Sequence, residues 1–260
     1  MLTLTACSGF NLFGPKKIKE EPIVPPQTLY EEALSNMDRQ RFATAIASLE
    51  KLERQHPYSD YAEKAKLMIV YANFRLGKYD EAIVEADSYI AIYPSSDEMA
   101  YVLYLKGTSY FNQIKDITRD QALSRNAIET YTQLTRSFPD SQYSKDAREK
   151  MVVAADQLAG KEMSVGRYYL GNGQYGAAIA RFQTVVQRYQ TSTHIEEALF
   201  RLTEANLALG LITEAQTATA VLGHNYPASS WYKEAFDLLK SQGLQPQVNP
   251  GSPLANVLQG

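Results

Sequence analysis

Residues 57–65 read PYSDYAEKA, and the phrase returns in altered form as PDSQYSKDA at 139–147, QTSTHIEEA at 190–198 and PASSWYKEA at 227–235. Each copy has a serine two residues after its first position and an alanine eight after it. A fifth, PSSDEMAYV from Pro94, keeps the serine and has its alanine two residues early. Proline fixes φ and carries no N–H, so it ends a helix; serine is a preferred cap for the amides that open the next one. Acidic residues follow closely, as at Asp60, Asp97 and Glu196, where a helix dipole favours negative charge. The phrase therefore predicts a helix-to-helix boundary at each of five places.

Working upstream, Ala45, Ala82, Ala127 and Ala215 each lie twelve residues before a proline of the phrase, and Ala178 lies twelve before Gln190, where repeat four has lost its proline. Three residues before the alanine stands Phe42, Tyr79, Tyr175 or Ile212, with Ser124 in repeat three. Two before that stands Gly77, Gly173 or Gly210. Gly-x-aromatic-x-x-Ala with a proline twelve on resembles the tetratricopeptide repeat, a pair of antiparallel helices A and B. The glycine suits the tight turn between them and the alanine lets them approach. The fold expected is all-α: a right-handed superhelix of five such pairs and a C-terminal capping helix from about Ser229 to Ser241. The alanines are 37, 45, 51 and 37 residues apart rather than the usual 34. The excess in repeat three falls in a loop near NQIKDITRDQ at 112–121, and the rest predicts an unusually long helix A in repeat four. The boundaries drawn are 1–27 for a tether, 28–139 for repeats one to three, 140–241 for repeats four and five with the cap, and 242–260 for a disordered tail.

Composition narrows the function. A net charge of −3 with scattered lysines and arginines offers no footprint for nucleic acid. The three histidines, His56, His194 and His224, are spaced too widely for a metal site. Gly171-Asn172-Gly173-Gln174-Tyr175-Gly176 matches G-x-G-x-x-G, but a dinucleotide site needs a strand before the glycines. Here Gly173-Gln174-Tyr175 aligns with Gly77-Lys78-Tyr79, which makes it an inter-helix turn. The sequence is that of a non-enzyme. The only cysteine, Cys7, follows Leu4-Thr5-Ala6. LTAC resembles the lipobox of bacterial lipoproteins, in which the sulfur takes a diacylglycerol and the new amino group is acylated. Met1 to Ala6 is shorter than the apolar run of about 7–15 residues a secretory signal needs, so the start is expected to be trimmed or misassigned, and a chance cysteine is the alternative. The Pro-rich, charged stretch from Gly9 to Pro26 then reads as a tether.

Eighteen tyrosines are the compositional anomaly. Aromatic rings bury large areas at small rotamer cost, and the inner wall of a helical solenoid is where peptide binding is expected. One residue per turn on the A-helices selects Tyr30, Leu34 and Met37 in repeat one and Lys64, Leu67, Tyr71 and Phe74 in repeat two; packing between repeats is the competing role for such residues.

Taken in order, LTAC, PYSDYAEKA with IVYANFRLGKYDEA, AYVLYLKG at 100–107, Arg119-Asp120, SQYSKDA at 141–147 and SVGRYYLGNGQY at 164–175 resemble the BamD family, lipoproteins of the outer-membrane β-barrel assembly machinery. The resemblance implies an outer-membrane-anchored periplasmic scaffold that works with other Bam lipoproteins. It implies N-terminal repeats that take up targeting segments of unfolded barrel proteins, and C-terminal repeats that dock a POTRA domain of BamA. From their position on A-helices the substrate groove is assigned to Tyr30, Lys64, Tyr71, Phe74 and Lys106, with Lys106 or Lys64 meeting a C-terminal carboxylate. BamA docking is assigned to Arg201, Glu204 and Asn206, and lipid attachment to Cys7, with no other cofactor. Another lipid-anchored tetratricopeptide scaffold, such as a secretin pilotin, is the alternative.

Overall fold

The computed structural model describes residues 21–117 and 119–255; Cys7 lies outside them. Among the described residues the regular structure is helical: α1 (Pro26–Asp38), α2 (Phe42–Gln55), α3 (Ala62–Arg75), α4 (Tyr79–Ile92), α5 (Met99–Asn112), α6 (Ala122–Ser137), α7 (Gln142–Gly171), α8 (Tyr175–Arg188), α9 (Ile195–Ala208), α10 (Ile212–Asn225) and α11 (Ser230–Ser241). Each helix packs on the next in the chain, giving five A–B pairs and a final helix. The A-helices also meet across repeats, α3 with α5, α5 with α7 and α9 with α11. None of these helices is long and apolar enough to cross a membrane.

The A–B turn is the same in four repeats. Gly77, Gly173 and Gly210 have φ of 71°, 72° and 73°, the left-handed region glycine enters freely. In each, the N–H one residue further on reaches back to the carbonyl of Asn73, Tyr169 or Asn206. The G-x-G-x-x-G match is thus a turn between α7 and α8. Repeat one makes the same turn with Gln40, at φ 56°. A side chain there costs about 1–2 kcal/mol, so Gln40→Gly is expected to raise stability by about 0.5–1 kcal/mol in urea unfolding once glycine's larger unfolded-state entropy is counted.

The B–A boundary behaves as the repeated phrase predicts, with one change of detail. His56, Tyr93, Phe138, Tyr189 and Tyr226 close the B-helices with φ between −139° and −121° and ψ between 46° and 60°. The phrase's serine then turns its own N–H back to that residue's carbonyl in every copy. Its hydroxyl caps a helix only at Ser141 and Ser229. Ser96 accepts from the Glu98 N–H at 3.1 Å just ahead of α5 and also bonds Tyr89, while the hydroxyls of Ser59 and Ser192 are buried without a partner among the described residues.

Between A and B the core is built on size complementarity. The alanines at 45, 82, 127, 178 and 215 are all fully buried. One turn beyond each, the B-helix residue faces an A-helix position five before that helix's end. The pairs are Ala33 with Leu49, Val70 with Ala86, Gly107 with Tyr131, Gly166 with Phe182, and Thr203 with Thr219. Large stands against small, and the two threonines hydrogen-bond at 3.0 Å. In α11 the same position is Phe236; no B-helix follows it among the described residues, and the ring is 37% exposed.

The long helix expected in repeat four is α7. Its first half packs with α5 and α6 through Ala147 and Met151, and its second half starts a separate core with Ala159, Met163, Phe182 and Leu199. The repeat-three loop, 113–121, closes on α7 at this join: a Cβ on Gly160 would sit 3.5 Å from Ile117 and 3.1 Å from His194. Two blocks of repeats therefore share one continuous helix, with the inserted loop at the join.

Both predicted tails need correction. The tether does not run to residue 27. Val24 packs on the repeat-one core, its N–H donates to Gln55 at 3.0 Å, its carbonyl meets His56 at 2.6 Å, and Glu21 pairs with Lys51 at 2.8 Å. The C-terminal tail is not free through residue 255. Gln216 donates to the Gln245 carbonyl at 2.7 Å, the Asn249 N–H donates to Thr217, Ser252 donates to Glu214, and Leu254 enters the α8–α11 core at 2% exposure. A low-periodicity segment can still order when side chains of a helix supply partners for its backbone.

Charge inside the first block is uneven. Lys66 lies 3.5 Å from Glu53 and 2.6 Å from Glu85, joining α2, α3 and α4. Burial raises the Glu53 carboxyl above its ordinary value; Lys66 opposes this and Glu85 adds to it. A raised folded-state value means that its stabilising contribution is full below the unfolded carboxylate pKa and is lost as pH rises through the folded one. Glu53→Gln should therefore raise the melting temperature at pH 7, with the gain shrinking towards pH 4, measurable by thermal unfolding across that range.

Candidate partner-binding faces

The A-helices α3, α5 and α7, with the start of α2, bring aromatic residues of four repeats into one wall. Phe42 meets Tyr71 edge to face at 6.2 Å, and the Arg75 guanidinium lies over both rings at 5.0 and 5.5 Å and donates to the Tyr71 hydroxyl. Tyr101 and Tyr104 of α5 each stack on Tyr143 of α7 at 5.1 Å. Tyr71 and Tyr101 both pack against the core that α3 and α5 share with α4, which links the two groups of rings, and burial pushes the Tyr101 hydroxyl up to about 12. At the far end Lys150 reaches over Tyr104 and Phe111 at 5.8 and 5.9 Å. It also bonds Asp146, which accepts from the Tyr104 hydroxyl at 2.7 Å. Burial opposes ionisation of Asp146, but these two hydrogen bonds outweigh it and hold the carboxyl below its ordinary value. The result is a surface of half-buried tyrosines laid against the buried Phe42, with a guanidinium at one end and an ammonium–carboxylate pair at the other.

Of the five groove residues assigned from sequence, Tyr71 belongs to this wall. Tyr30 packs on Tyr61 at 5.0 Å beside the repeat-one core, and Phe74 on Tyr79 at 5.9 Å beside the next core. Both fill space between helices. Lys106 is corrected: its ammonium lies 2.6 Å from Asp87, with its side chain 18% exposed, so its charge is already answered. Lys64 is exposed, but it shares a cleft with Glu63, Asp97 and Glu98, and acidic surroundings do not suit a receptor for a carboxylate. Tyr101, Tyr104, Tyr143, Arg75 and Lys150 were missed. The i, i+3 spacing of Tyr101 and Tyr104 on a predicted A-helix was a usable signal; the contribution of Tyr143 from the next repeat was not visible without the fold.

In the second block Arg201 lies over Phe200 and Trp231 at 5.1 and 5.5 Å and bonds Glu197 at 3.3 Å and Glu204 at 2.6 Å. Arg167 of α7 reaches Glu197 at 2.8 Å, extending the charge chain across two A-helices. Glu204 also borders a cleft lined by Leu170, Tyr175, Leu207 and Leu238. Asn206 is corrected as a docking residue. It is 3% exposed, and its carbonyl closes the α9–α10 turn just as that of Asn73 closes the α3–α4 turn.

The YfiO family, described as "Outer membrane lipoprotein", matches residues 22–222. The chain belongs to this family. Its relatives include the outer membrane protein assembly factor BamD of Caulobacter vibrioides, 44% identical over 95% of this chain and 80% of that one. BamD of Rickettsia prowazekii is 37% identical over 93% and 97%, and BamD of Neisseria meningitidis serogroup B 32% over 81% and 82%. As a member of the YfiO/BamD family the chain is an outer-membrane lipoprotein and an assembly factor for outer-membrane proteins, not an enzyme. Among solved structures, a tetratricopeptide repeat protein from Parabacteroides merdae (TM-score 0.37, 16% identity, 84% of this chain and 73% of that one) and the pilus biogenesis factor PilW (TM-score 0.36, 18% identity, 80% and 97%) are similar. Those likenesses are too loose to bear on function.

Proposed function

We propose that this chain is the scaffold that receives unfolded β-barrel proteins at the inner face of the outer membrane and hands them to BamA. The aromatic wall formed by Phe42, Tyr71, Tyr101, Tyr143 and Tyr104 carries the reading. Its partly exposed rings, Tyr71, Tyr101, Tyr104 and Tyr143, offer apolar faces to an extended segment, and Arg75 replaces Lys64 and Lys106 as the partner for that segment's carboxylate. Cys7, carrying a diacylglycerol and an N-acyl chain, is the anchor; several acyl chains hold durably where one does not, since each buried methylene contributes about 0.8 kcal/mol.

Docking of a BamA POTRA domain is assigned to the far end of the array. The support is the Arg167–Glu197–Arg201–Glu204 chain beside α11, where no B-helix follows Phe236 among the described residues. Other Bam lipoproteins are partners on the same logic of family. Calorimetry of residues 21–260 with the last POTRA domain of the same organism's BamA tests the reading, with another POTRA domain as control. The soluble form starts at Glu21 because residues 21–24 hold the end of α2. Selective binding at micromolar affinity or tighter is the expected result, lost in Arg201→Glu. Absence of binding by a protein with intact helical circular dichroism would overturn it.

A further inference from the structure

The join between the two blocks holds a cleft of about 400 Å³ that the family reading does not use. Its walls come from the inserted loop (Arg119, Asp120, Gln121), the start of α6 (Arg125), the second half of α7 (Leu158, Lys161, Glu162) and the end of α8 (Tyr189). The first two belong to repeat three and the last two to repeat four, so an occupant would touch both blocks at once.

The polar inventory of the cleft is unbalanced in two ways. Cationic charge is in excess: Glu162 is answered by Arg181 at 3.1 Å, and Asp120 lies 3.7 Å from Arg125 and accepts from the Ala122 N–H. Arg119 is exposed, with no ion pair among the described residues. The first turn of the 16-residue helix α6, which holds no acidic side chain, adds its dipole. The second imbalance is an acceptor. Gln121 is only 7% exposed; its amide nitrogen is spent on the carbonyls of Ile117 and Arg119, while its Oε1 is buried with no donor. Leaving such an atom unmade costs about 1–3 kcal/mol, which an incoming N–H recovers.

A ligand that answers both imbalances carries one negative charge and, close to it, an N–H. We propose that the cleft binds a carboxylate borne on a peptide segment, with the carboxylate between Arg119, Arg125 and Lys161 and a neighbouring backbone N–H donated to Gln121 Oε1. A phosphate group fits less well. It brings acceptors only, and its second charge is opposed by Asp120 and Glu162. The apolar sides of Leu158 and Tyr189 provide a floor for the peptide's own carbons, and burial, together with Glu162, raises the Tyr189 hydroxyl above its ordinary value, keeping it a neutral donor. This site is separate from the aromatic wall and does not depend on it.

Three labelled tetrapeptides measured by fluorescence anisotropy against the full chain in detergent test the proposal. One has apolar side chains and a free C-terminus, one is amidated with an internal glutamate, and one is amidated with glutamine in its place. Binding of either carboxylate probe about tenfold tighter than the glutamine probe is expected, and whichever of the two binds identifies a terminal or a side-chain carboxylate as the source. Arg119→Glu with Arg125→Glu should weaken that probe about tenfold and Gln121→Leu several-fold, while Tyr71→Ala leaves it unchanged. If the double variant loses helical circular dichroism, Arg119→Gln alone, at an exposed and unpaired side chain, gives a smaller loss of the same sign. The proposal is overturned if the glutamine probe binds equally, if neither carboxylate probe binds, if folded cleft variants bind as the parent does, or if inorganic phosphate displaces the probe as well as unlabelled peptide does.

Discussion

Phe182→Ala is expected to lower the stability of the chain by about 3–5 kcal/mol, measured by urea unfolding followed by circular dichroism. The ring is fully buried in the second block's core, directly against Gly166 of α7. Truncation removes the transfer energy of the ring and leaves a cavity that neighbours cannot fill without moving Gly166. The partner change is as informative. A Cβ added at Gly166 would lie 2.5 Å from Phe182 Cε1, a distance that does not occur between real atoms, and the ring has no free space to swing into. Gly166→Ala should cost about 1–3 kcal/mol through overpacking. The double variant Gly166→Ala with Phe182→Leu should lose less than the two single losses added together, because the smaller side chain relieves the clash. Strict additivity in that cycle would show that the two positions are not a size-matched pair.

Removing two rings of the aromatic wall, Tyr71→Ala with Tyr101→Ala, should weaken binding of a peptide that ends in an aromatic residue by more than about tenfold, or about 1.4 kcal/mol. Rigid aromatic side chains carry a disproportionate share of interface energy when they lie in half-buried, contiguous surfaces. The Phe variants at the same two positions are expected to bind within a few-fold of the parent, since they keep the ring and lose only the hydroxyl. Val84→Ala, at an exposed position of α4, provides a surface control. The measurement is calorimetry on residues 21–260, with the melting temperature of each variant recorded so that loss of fold is separated from loss of affinity. Equal affinity of the folded Ala variant would remove the wall from the substrate pathway and leave the POTRA experiment as an independent test of the scaffold role.

Much of the fold was legible because its signals are local. Pro57, Pro94, Pro139 and Pro227 act on the residue before them, and Gly77, Gly173 and Gly210 act on their own φ. Each sets a helix end without reference to the rest of the chain. The inserted loop and the long α7 followed by counting between those marks. The site was less legible. Helical spacing put Tyr30, Tyr71 and Phe74 on A-helices, but an A-helix is packed on several sides, and the same spacing serves each of them. Only Tyr71 proved to lie on the shared wall. Asn206 occupied the right helix, but its side chain is buried among the helices and not offered to a partner.

The amino-acid sequence alone determined the number of helices, their boundaries, their pairing into five repeats and the interruption at repeat three, since these rest on proline, glycine and alanine at fixed intervals. Even the loss of a proline at Gln190 did not blur the pattern, and Tyr189 ends α8 with the dihedrals of its counterparts. The tertiary structure decided which charges were already spent, which rings share a surface and which tail residues are held. Lys106 is neutralised by Asp87 of the preceding helix, Tyr143 joins Tyr101 from the next repeat, and Leu254 finds its place in a core built by the helices from α7 to α11. Each of these is a contact between residues far apart in the chain, and such contacts exist only once the repeats have stacked.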